Sequence, residues 1–377
     1  MREVYLDNSA TTRVCDTALS ETMEVMRENY GNPSSGHLKG VQAENTLDLC
    51  RKTVAKFINC DSKEIYFTSG GTQSNNIAIL GSAAARRHLG NKIITTSIEH
   101  SSVLRAMEKL EKQGFKVVYL KPDKYGAISL SKLASEIDKS TILISLMFVN
   151  NEIGSFIDIS KIKKIIQIKN SPAILHTDAV QAFGKVPVNV KAQGIDMLSM
   201  SAHKIHGPKG VGALYVSKGL RIEPILFGGG QESGLIPGTE PMPAIAGFRG
   251  AVIELMKNKN SQTRIGEINK YCRRLLAKNN SVRINSPQNA ISNILNISVK
   301  RIKSETMMNF LSSHGIYVSN GSACSKGKRS HVLTAIGLPD EWIDSSIRIS
   351  FSRFNTKEDI DYFIKYLNEG INKLIKF

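Results

Sequence analysis

A lysine stands between two histidines in a loop rich in glycine and proline, SAHKIHGPKG, at residues 201–210. Gly207 and Pro208 keep this stretch out of a helix interior, so the amine of Lys204 can be turned toward a pocket. Burial would lower the pKa of that amine and make it a nucleophile that can form a Schiff base with a carbonyl group. A lysine in such a loop is otherwise a surface residue, and on this segment alone that interpretation is the stronger one.

An aspartate, Asp178, ends an apolar run within the sequence HTDAVQ at residues 176–181. A buried carboxylate needs a cationic partner or several hydrogen-bond donors, because an unpaired charge is costly to bury. A protonated pyridine nitrogen would be such a partner, and a lysine Schiff base with an aspartate on the ring nitrogen is how a protein sets up a pyridine aldehyde cofactor. The alternative is that Asp178 caps the following helix.

Two adjacent glycines, Gly70 and Gly71, connect a predicted strand to a helix in the sequence SGGT at residues 69–72. They let the backbone come close to a ligand, and the N–H groups at a helix start attract phosphate. The loop is not a Walker A motif, because GxxxxGK[ST] is absent. Lys204, Asp178 and this loop together supply what an aldehyde-bearing pyridine phosphate requires.

Short apolar runs rich in β-branched residues recur through the first two thirds of the chain, and each is typical of a buried strand. The seven runs are 65–68, 92–96, 116–120, 141–149, 173–177, 197–201 and 212–216. Helical periodicity between them, at 73–87 and 101–113, favours a mainly parallel sheet with helices on both faces. Ligands bind beyond the carboxyl ends of strands in such sheets, so the polar clusters that follow five of the runs predict one shared pocket.

The pattern changes after the glycine-rich stretch 228–238. A helical segment at 244–256, strand candidates at 293–298, 316–319 and 346–350, and a terminal helix at 357–373 follow it. We therefore expect an α/β fold in two parts. Residues 16–249 would form a large cofactor-binding domain around a mainly parallel seven-stranded sheet, and residues 1–15 and 250–377 a smaller α+β domain.

The composition narrows the class of protein. Of the 377 residues 41% are hydrophobic, and no apolar run approaches the roughly 18 residues that a membrane span needs. The start of the chain, MREVYLDNSATT, is polar where a signal peptide would have its apolar core, so we expect a soluble, cytoplasmic protein. The net charge is +17, but lysine and arginine are spread widely without an aromatic stacking pattern. We therefore do not expect direct nucleic-acid binding.

Five cysteines are scattered along the chain, at Cys15, Cys50, Cys60, Cys272 and Cys324. They form no CxxC pair and no spacing typical of a zinc site, so no metal site is predicted. Four of them are interpreted as reduced, buried hydrophobic residues. Cys324 is the exception, because it lies in the small-residue sequence SNGSACSKGKRS, where Lys326, Lys328 and Arg329 would favour its nucleophilic thiolate form.

These motifs together resemble the NifS-type cysteine desulfurases, in the class V aminotransferase branch of the fold-type I pyridoxal-phosphate enzymes. The resemblance runs nearly end to end. It includes YLDNSATT at 5–12, GNPSSGH at 31–37, TSGGTQSNN at 68–76, EHSS at 99–102, NNEIG at 150–154, TDAVQ at 177–181, SAHKIHGPKG at 201–210, SNGSACSKG at 319–327 and SSIRIS at 345–350.

The resemblance implies a reaction in which L-cysteine becomes L-alanine on pyridoxal 5'-phosphate and its sulfur remains on Cys324 as a persulfide. In this reaction Lys204 would hold the cofactor as a Schiff base and, once freed, take the α-proton of the substrate. Cys324 would attack the substrate sulfur. His100 would stack on the cofactor ring and move a proton.

The resemblance also implies binding roles for further residues. Asp178 would pair with the pyridine nitrogen and Gln181 with the ring hydroxyl. The phosphate would be held by Gly71, Thr72, Ser201 and His203, with Thr239 of the neighbouring subunit. Asn150 and Arg348 would hold the substrate carboxylate, since the guanidinium fork can make two parallel hydrogen bonds.

The chain departs from the family at residues 232–241, where ESGLIPGTEP stands in place of a sequence like ERGLRSGTEN. Ser233 and Ile236 replace two arginines, and Pro237 replaces a serine. These changes concern contacts with the partner subunit or the handling of substrate rather than the cofactor chemistry. The segment 325–330 is also shorter and more basic than in the long-loop members.

The resemblance implies a homodimer that delivers sulfur to iron-sulfur cluster assembly or to tRNA thiolation. The acceptor could be an iron-sulfur scaffold, a tRNA-thiolating enzyme or a dedicated relay protein. Selenocysteine lyase and cysteine sulfinate desulfinase activities occur on the same fold and remain alternatives. A sulfur-relay protein without turnover is the alternative from another class, and the presence of Lys204, Asp178 and Cys324 speaks against it.

Overall fold

Apolar, β-branched runs become the strands of this computed structural model, which describes residues 2–320 and 329–374. In chain order these described residues form β1 Val4–Tyr5, β2 Ile65–Thr68, β3 Lys92–Thr96, β4 Lys116–Leu120, β5 Thr141–Met147, β6 Ile174–Asp178, β7 Met197–Ser201, β8 Gly212–Val216, β9 Val282–Ile284, β10 Ile294–Val299, β11 Ile316–Tyr317 and β12 Ser346–Ser350.

Seven of these strands form the central sheet, in the order β2-β8-β7-β6-β5-β3-β4. The strands from β7 through β6, β5 and β3 to β4 run parallel, whereas β8 is antiparallel to both β2 and β7. The predicted seven-stranded, mainly parallel sheet is thus confirmed. Five strands have the predicted bounds, while β5 ends two residues earlier and β6 lies one residue later than predicted.

Helices cover this sheet and the second lobe. They are α1 Asp16–Arg27, α2 Leu38–Ile58, α3 Gly71–Asn76, α4 Ser82–Arg86, α5 Ser101–Lys112, α6 Leu130–Glu136, α7 Ile162–Ile168, α8 Val190–Gln193, α9 Met242–Lys257, α10 Ser261–Leu276, α11 Ser304–Ser313, α12 His331–Ala335, α13 Asp340–Asp344 and α14 Lys357–Leu374. Within the described residues, none of them has the length and apolar character to span a bilayer.

The single helix predicted at 73–87 is divided in the structure. It begins at Gly71 as α3, widens into a π-helical turn at Ile77–Gly81 and continues as α4. A Cβ atom on Gly81 would lie 2.5 Å from the carbonyl oxygen of Glu223. The glycine therefore permits a close backbone approach at this turn, which hydrophobic periodicity does not reveal.

The second lobe has its own sheets and its own core. Strands β12, β10 and β9 form an antiparallel sheet, and β1 pairs with β11 in parallel. The core of this lobe contains Val4 and Leu6 together with apolar residues of α10, α11 and α14. This separate core is consistent with a small domain built from both chain ends. Helix α9 runs through the predicted boundary at residue 250, so that boundary stays a prediction.

Candidate active site

The loop between β7 and β8 carries Lys204 to the carboxyl edge of the central sheet. Strand β7 ends at Ser201, and one turn of 3-10 helix, Ala202–Lys204, follows it. The Lys204 amine donates hydrogen bonds to the main-chain carbonyls of Ser9 and Ala10, both at 2.6 Å. Lys204 is therefore directed inward against the N-terminal segment, and the surface interpretation of this lysine is wrong.

Asp178 ends the neighbouring strand β6 and is only 5% exposed. One carboxylate oxygen accepts a hydrogen bond from Asn75 Nδ2 at 2.7 Å, and the other accepts from the N–H of Val180 at 2.9 Å. Among the described residues, no basic side chain lies within ion-pairing distance of it. A buried carboxylate held only by neutral donors matches a cationic ligand group such as a protonated ring nitrogen.

A hydrogen-bonded chain joins His100 to this aspartate. His100 Nδ1 lies 2.8 Å from the Ser102 hydroxyl and accepts from the Ser102 N–H at 3.1 Å. The same hydroxyl accepts from Asn75 Nδ2, at 2.9 Å, and Asn75 reaches Asp178. Because Nδ1 accepts, the neutral imidazole carries its proton on Nε2. The structure therefore brings His100 and Asp178 into one network, with the N–H of the ring on the side away from Ser102.

The glycine turn between β2 and α3 lies against the ends of β6 and β7. A Cβ atom on Gly71 would lie 2.4 Å from Val180 Cγ2, and one on Gly70 would lie 3.8 Å from Ser201 Oγ. Gly70 has φ of 144°, a conformation that favours glycine. Helix α3 starts here with backbone N–H groups that have no acceptor within the helix. The turn thus presents backbone N–H groups of the kind that bind phosphate, next to Val180 and Ser201, and its Thr72 is exposed.

Two further predicted residues, Gln181 and His203, flank Lys204. The Gln181 amide donates to the Ser9 carbonyl at 3.0 Å and accepts from Lys185 Nζ at 2.5 Å. His203 Nδ1 lies 3.2 Å from the Thr11 hydroxyl. Burial, and then the charge of Lys204, lowers the pKa of His203 to about 4, so its imidazole is neutral near pH 7.

The two residues predicted to hold the substrate carboxylate come from both lobes. Arg348 lies on β12, where its guanidinium bonds Asp7 Oδ1 at 2.9 Å and the carbonyl of Asn151 at 3.0 Å. Asn150 is buried, and its Oδ1 accepts from the N–H groups of Glu152 and Ile153. Asn150 therefore also shapes the turn after β5, at the point where that turn meets Arg348.

Cys324 falls outside the described residues, as do Lys326 and Lys328. Arg329, the third member of the predicted basic cluster, bonds Asp344 at 2.8 Å and also pairs with Asp340. The remaining cysteines are free, and burial raises the pKa of three of them, at Cys50, Cys60 and Cys272, to about 12. Those three thiols are poor nucleophiles near neutral pH.

The loop at 228–241 carries Thr239, which is exposed. Its anchor is Glu232, which accepts two hydrogen bonds from Arg51, at 2.7 and 2.8 Å. Ile236, in place of a family arginine, packs against the apolar core beside the sheet. Pro237 lies against Gly228, where a Cβ atom would be 2.7 Å away. The departures from the family pattern therefore give this loop apolar packing.

Sequence reasoning gave no individual role to several residues of the site. Asn75 and Ser102 were present only as letters of the motifs TSGGTQSNN and EHSS. The main-chain carbonyls of Ser9 and Ala10 belong to YLDNSATT, whose presence was the available signal. The sequence around Lys185 gave no signal that this residue belongs to the site. Among the described residues, no cluster of three or more His, Cys, Asp or Glu side chains could hold a metal ion.

The chain matches the family described as aminotransferase class-V over residues 4–363. A curated relative named cysteine desulfurase IscS, from Methanosarcina thermophila, is 44% identical over 383 residues. The match covers 99% of this chain and 93% of that protein.

Solved structures agree with this match. One, described as a NifS-like protein, has a TM-score of 0.93 and 37% identity, covering 98% of this chain and 100% of that one. Another, of SspA in complex with cysteine, has a TM-score of 0.83 and 34% identity, covering 94% of this chain and 100% of that one. The chain therefore belongs to the aminotransferase class-V family and, within it, to the cysteine desulfurases.

Proposed function

We propose that the chain uses pyridoxal 5'-phosphate to convert L-cysteine to L-alanine and retains the sulfur as a persulfide on Cys324. The observation that carries the proposal is the meeting of Lys204, Asp178 and the Gly70–Gly71 turn at one edge of the sheet. The names of the relatives, and the similar structure of SspA in complex with cysteine, support this substrate. The donor set fits the cofactor, since it offers an amine, a buried carboxylate held by neutral donors and a glycine cradle.

The charged and proton-carrying residues around the cofactor site would each have a different role. Pyridoxal 5'-phosphate, when bound, supplies an electron sink for the carbanion that forms at the substrate α-carbon. Asp178 would hold the ring nitrogen in its protonated form, because its buried charge favours a cation. Lys204, oriented by the carbonyls of Ser9 and Ala10, would take the α-proton at its amine. His100 would present its Nε2 proton to the reacting groups.

Sulfur transfer would follow at the substrate side chain. The Cys324 thiolate attacks the substrate sulfur, so that an S–S bond forms while the bond from the substrate β-carbon to sulfur breaks. The electron pair remains on the substrate carbon, which takes a proton to become alanine. Arg348 would fix the substrate carboxylate during both steps. The hydrogen bonds of Arg348 to Asp7 and to the Asn151 carbonyl, which fix its guanidinium, support this role.

Two substitutions test this assignment. Lys204→Ala should abolish alanine formation and the visible absorption that borohydride removes in the wild type, because it removes the amine proposed to bind the aldehyde. Cys324→Ser should retain that absorption and respond to added cysteine, yet form no persulfide by mass spectrometry. Persulfide on Cys15, Cys50, Cys60 or Cys272, or full activity of Lys204→Ala, would contradict the proposal. Parallel assays with selenocysteine and cysteine sulfinate determine the substrate preference.

We also infer a homodimer with a protein sulfur acceptor, in the cytoplasm. The exposure of Thr239 supports its assignment to the phosphate site of a neighbouring subunit. Four free cysteines in the described residues suit a reducing compartment. Recruitment of an acidic acceptor would depend on Lys326 and Lys328, since Arg329 is already paired with aspartates of its own chain.

A further inference from the structure

Lys185 lies beside Lys204 and has no part in the reaction described above. Both lysines line a cavity of about 30 Å³ under the site. The amine of Lys185 donates to Gln181 Oε1 at 2.5 Å. In the part of the chain that the structure describes, no carboxylate lies within 4.0 Å of this amine. The hydrogen-bond partner of this amine is therefore a neutral amide rather than a carboxylate.

The surroundings of this amine are cationic. Burial is the main reason that the pKa of Lys185 falls to about 7, and the charges of Lys204 and Arg348 lower it further. The charged and titratable groups around Lys185 are Lys204, Arg348, His203, His206 and Arg353. Charge on Lys185 is therefore sensitive to pH near neutrality, while its N–H groups can donate in either protonation state.

The bond from Lys185 fixes which end of the Gln181 amide faces the site. A protonated lysine can only donate, so it selects the oxygen, Oε1, as its partner. The amide nitrogen then points the other way, where it donates to the Ser9 carbonyl at 3.0 Å. Lys204 donates to the same carbonyl. In this arrangement Gln181 presents an N–H group on the side of Lys204.

We propose that Lys185 is a positioning residue, which holds the Gln181 amide so that its N–H group faces the ring oxygen of the cofactor. The inference rests on the proposed function, because it assumes that Gln181 meets that ring oxygen. Without Lys185 the amide could rotate and place its oxygen against the ring oxygen, where two acceptors repel.

A double-mutant cycle on the holoenzyme tests whether Lys185 acts through Gln181. Lys185→Met and Gln181→Ala should each lower kcat/KM for cysteine about ten-fold, which is the range of one charge-assisted hydrogen bond. The double variant should be no worse than either single variant, since both remove the same contact. The matched control is Lys191→Met, which removes a lysine from the exposed side of α8 and should leave kcat/KM unchanged.

The pH midpoint of the visible absorption band supplies a readout that does not depend on turnover. A nearby cation and a donor to the ring oxygen both favour the less protonated form, so Lys185→Met should raise the midpoint by about half a pH unit or more. Lys185→Arg should restore a donor and the wild-type midpoint. Should Lys185→Met prove insoluble, Lys185→Gln against Lys185→Arg gives the same comparison. An unchanged midpoint, or multiplicative losses in the double variant, would overturn the proposal.

These outcomes are distinct from failure of the proposed function. If the chain used another cofactor or another lysine, Lys204→Ala would retain the visible band, and no Lys185 variant would bear on it. If Lys204→Ala loses the band while Lys185→Met leaves the midpoint in place, the proposed function stands and the positioning role is wrong.

Discussion

Main-chain carbonyls of the N-terminal segment accept hydrogen bonds from the Lys204 amine. Besides the two bonds from the amine, the N–H and hydroxyl of Thr12 both donate to the carbonyl of His203, at 3.0 Å, and the N–H of Cys15 donates to that of His206. Residues 9–15 thus form hydrogen bonds with the Lys204 loop from residue 203 to residue 206. These carbonyl acceptors fix the direction of the Lys204 amine.

Glu99, the residue before His100, is a second buried group near the site. Its Oε1 accepts from the Thr96 hydroxyl at 2.7 Å and from the Met147 N–H at 2.9 Å. Burial raises the pKa of this carboxyl from 4.5 to about 8. The pKa of Glu99 is higher in the folded chain than in the unfolded chain. The contribution of Glu99 to the free energy of unfolding is therefore fully present below about pH 4.5 and is lost as the pH rises through about 8.

Replacement of this acid by its amide should therefore flatten the pH dependence of stability. Glu99→Gln keeps the oxygen that accepts both bonds but cannot ionise. Relative to this variant, the free energy of unfolding of the wild type should fall between about pH 5 and pH 8, by up to about 1.4 kcal/mol per pH unit. Denaturant unfolding at several pH values measures the difference. Parallel profiles for the two proteins would contradict the buried ionisation, and Glu24→Gln on the exposed side of α1 is the control.

Among the elements, the glycine turn before α3 bears most directly on cofactor binding. The Cβ of Gly71→Ala would lie 2.4 Å from Val180 Cγ2. Either the turn or Val180 must move, and overpacking of this size costs roughly 1–3 kcal/mol. We expect faster loss of cofactor on dialysis and a lower melting temperature. Gly36→Ala is a matched control, since a Cβ there meets nothing within 4 Å.

A second substitution can separate crowding from a direct effect on the ligand. Val180→Ala removes the methyl groups that the new Cβ would meet, so the double variant should recover cofactor retention if crowding displaces the turn. Retention that stays low in the double variant would mean that the Cβ itself obstructs the phosphate. Retention equal to the wild type in Gly71→Ala alone would show that the turn does not hold the cofactor.

Local patterns predicted the elements well but not the contacts between them. An apolar run that is buried on both faces forms a strand, and this explains the matching bounds of β3, β7 and β8. The bond from Lys204 to Ser9 joins residues 195 positions apart. Its acceptor is a main-chain carbonyl, which every residue possesses, so no side-chain pattern could mark it.

The same limit applies to the network of the site. Asn75 and Ser102 were visible within motifs, yet their roles follow from the 2.9 Å bond that joins α3 to α5. Lys185 was invisible because a lysine within an otherwise ordinary turn is typical of a solvated surface. The family resemblance assigned roles to Lys204 and Asp178. Asp178 ends β6, and Lys204 follows the end of the adjacent strand β7. The sequence around each residue, taken alone, left it with an alternative role.

In the whole molecule, the core around the central sheet and the core of the second lobe both border the candidate active site. The N-terminal segment leaves the second core at Leu6 and passes beside Lys204, while Arg348 extends from β12 of that lobe to the turn after β5. Both lobes therefore contribute to the region where the substrate would bind. A change in how the lobes pack would move Arg348 relative to Lys204, and so would alter substrate binding more than cofactor retention.

Two large apolar side chains are highly exposed, one just before the Thr239 loop and one at the start of α2. Phe227, just before this loop, is 90% exposed, and Leu38, at the start of α2, is 82% exposed. Helix α2 also carries Arg51, which anchors the loop through Glu232. Large apolar side chains at such exposure on connected elements are typical of surfaces that pair with another chain.

We therefore expect the protein to sediment as a dimer and to depend on these side chains for it. Phe227→Glu combined with Leu38→Glu should shift the protein toward monomer, because two charges would be buried without partners at a two-fold interface. If Thr239 completes the phosphate site of the neighbouring subunit, the monomer should also lose cofactor on dialysis.

The control is Ile168→Glu, at a residue of α7 that is 78% exposed, which should change neither the oligomeric state nor the retention of cofactor. Sedimentation velocity and absorbance after dialysis measure both. A monomer that retains its cofactor would contradict the shared site, and an undisturbed dimer would place the interface elsewhere.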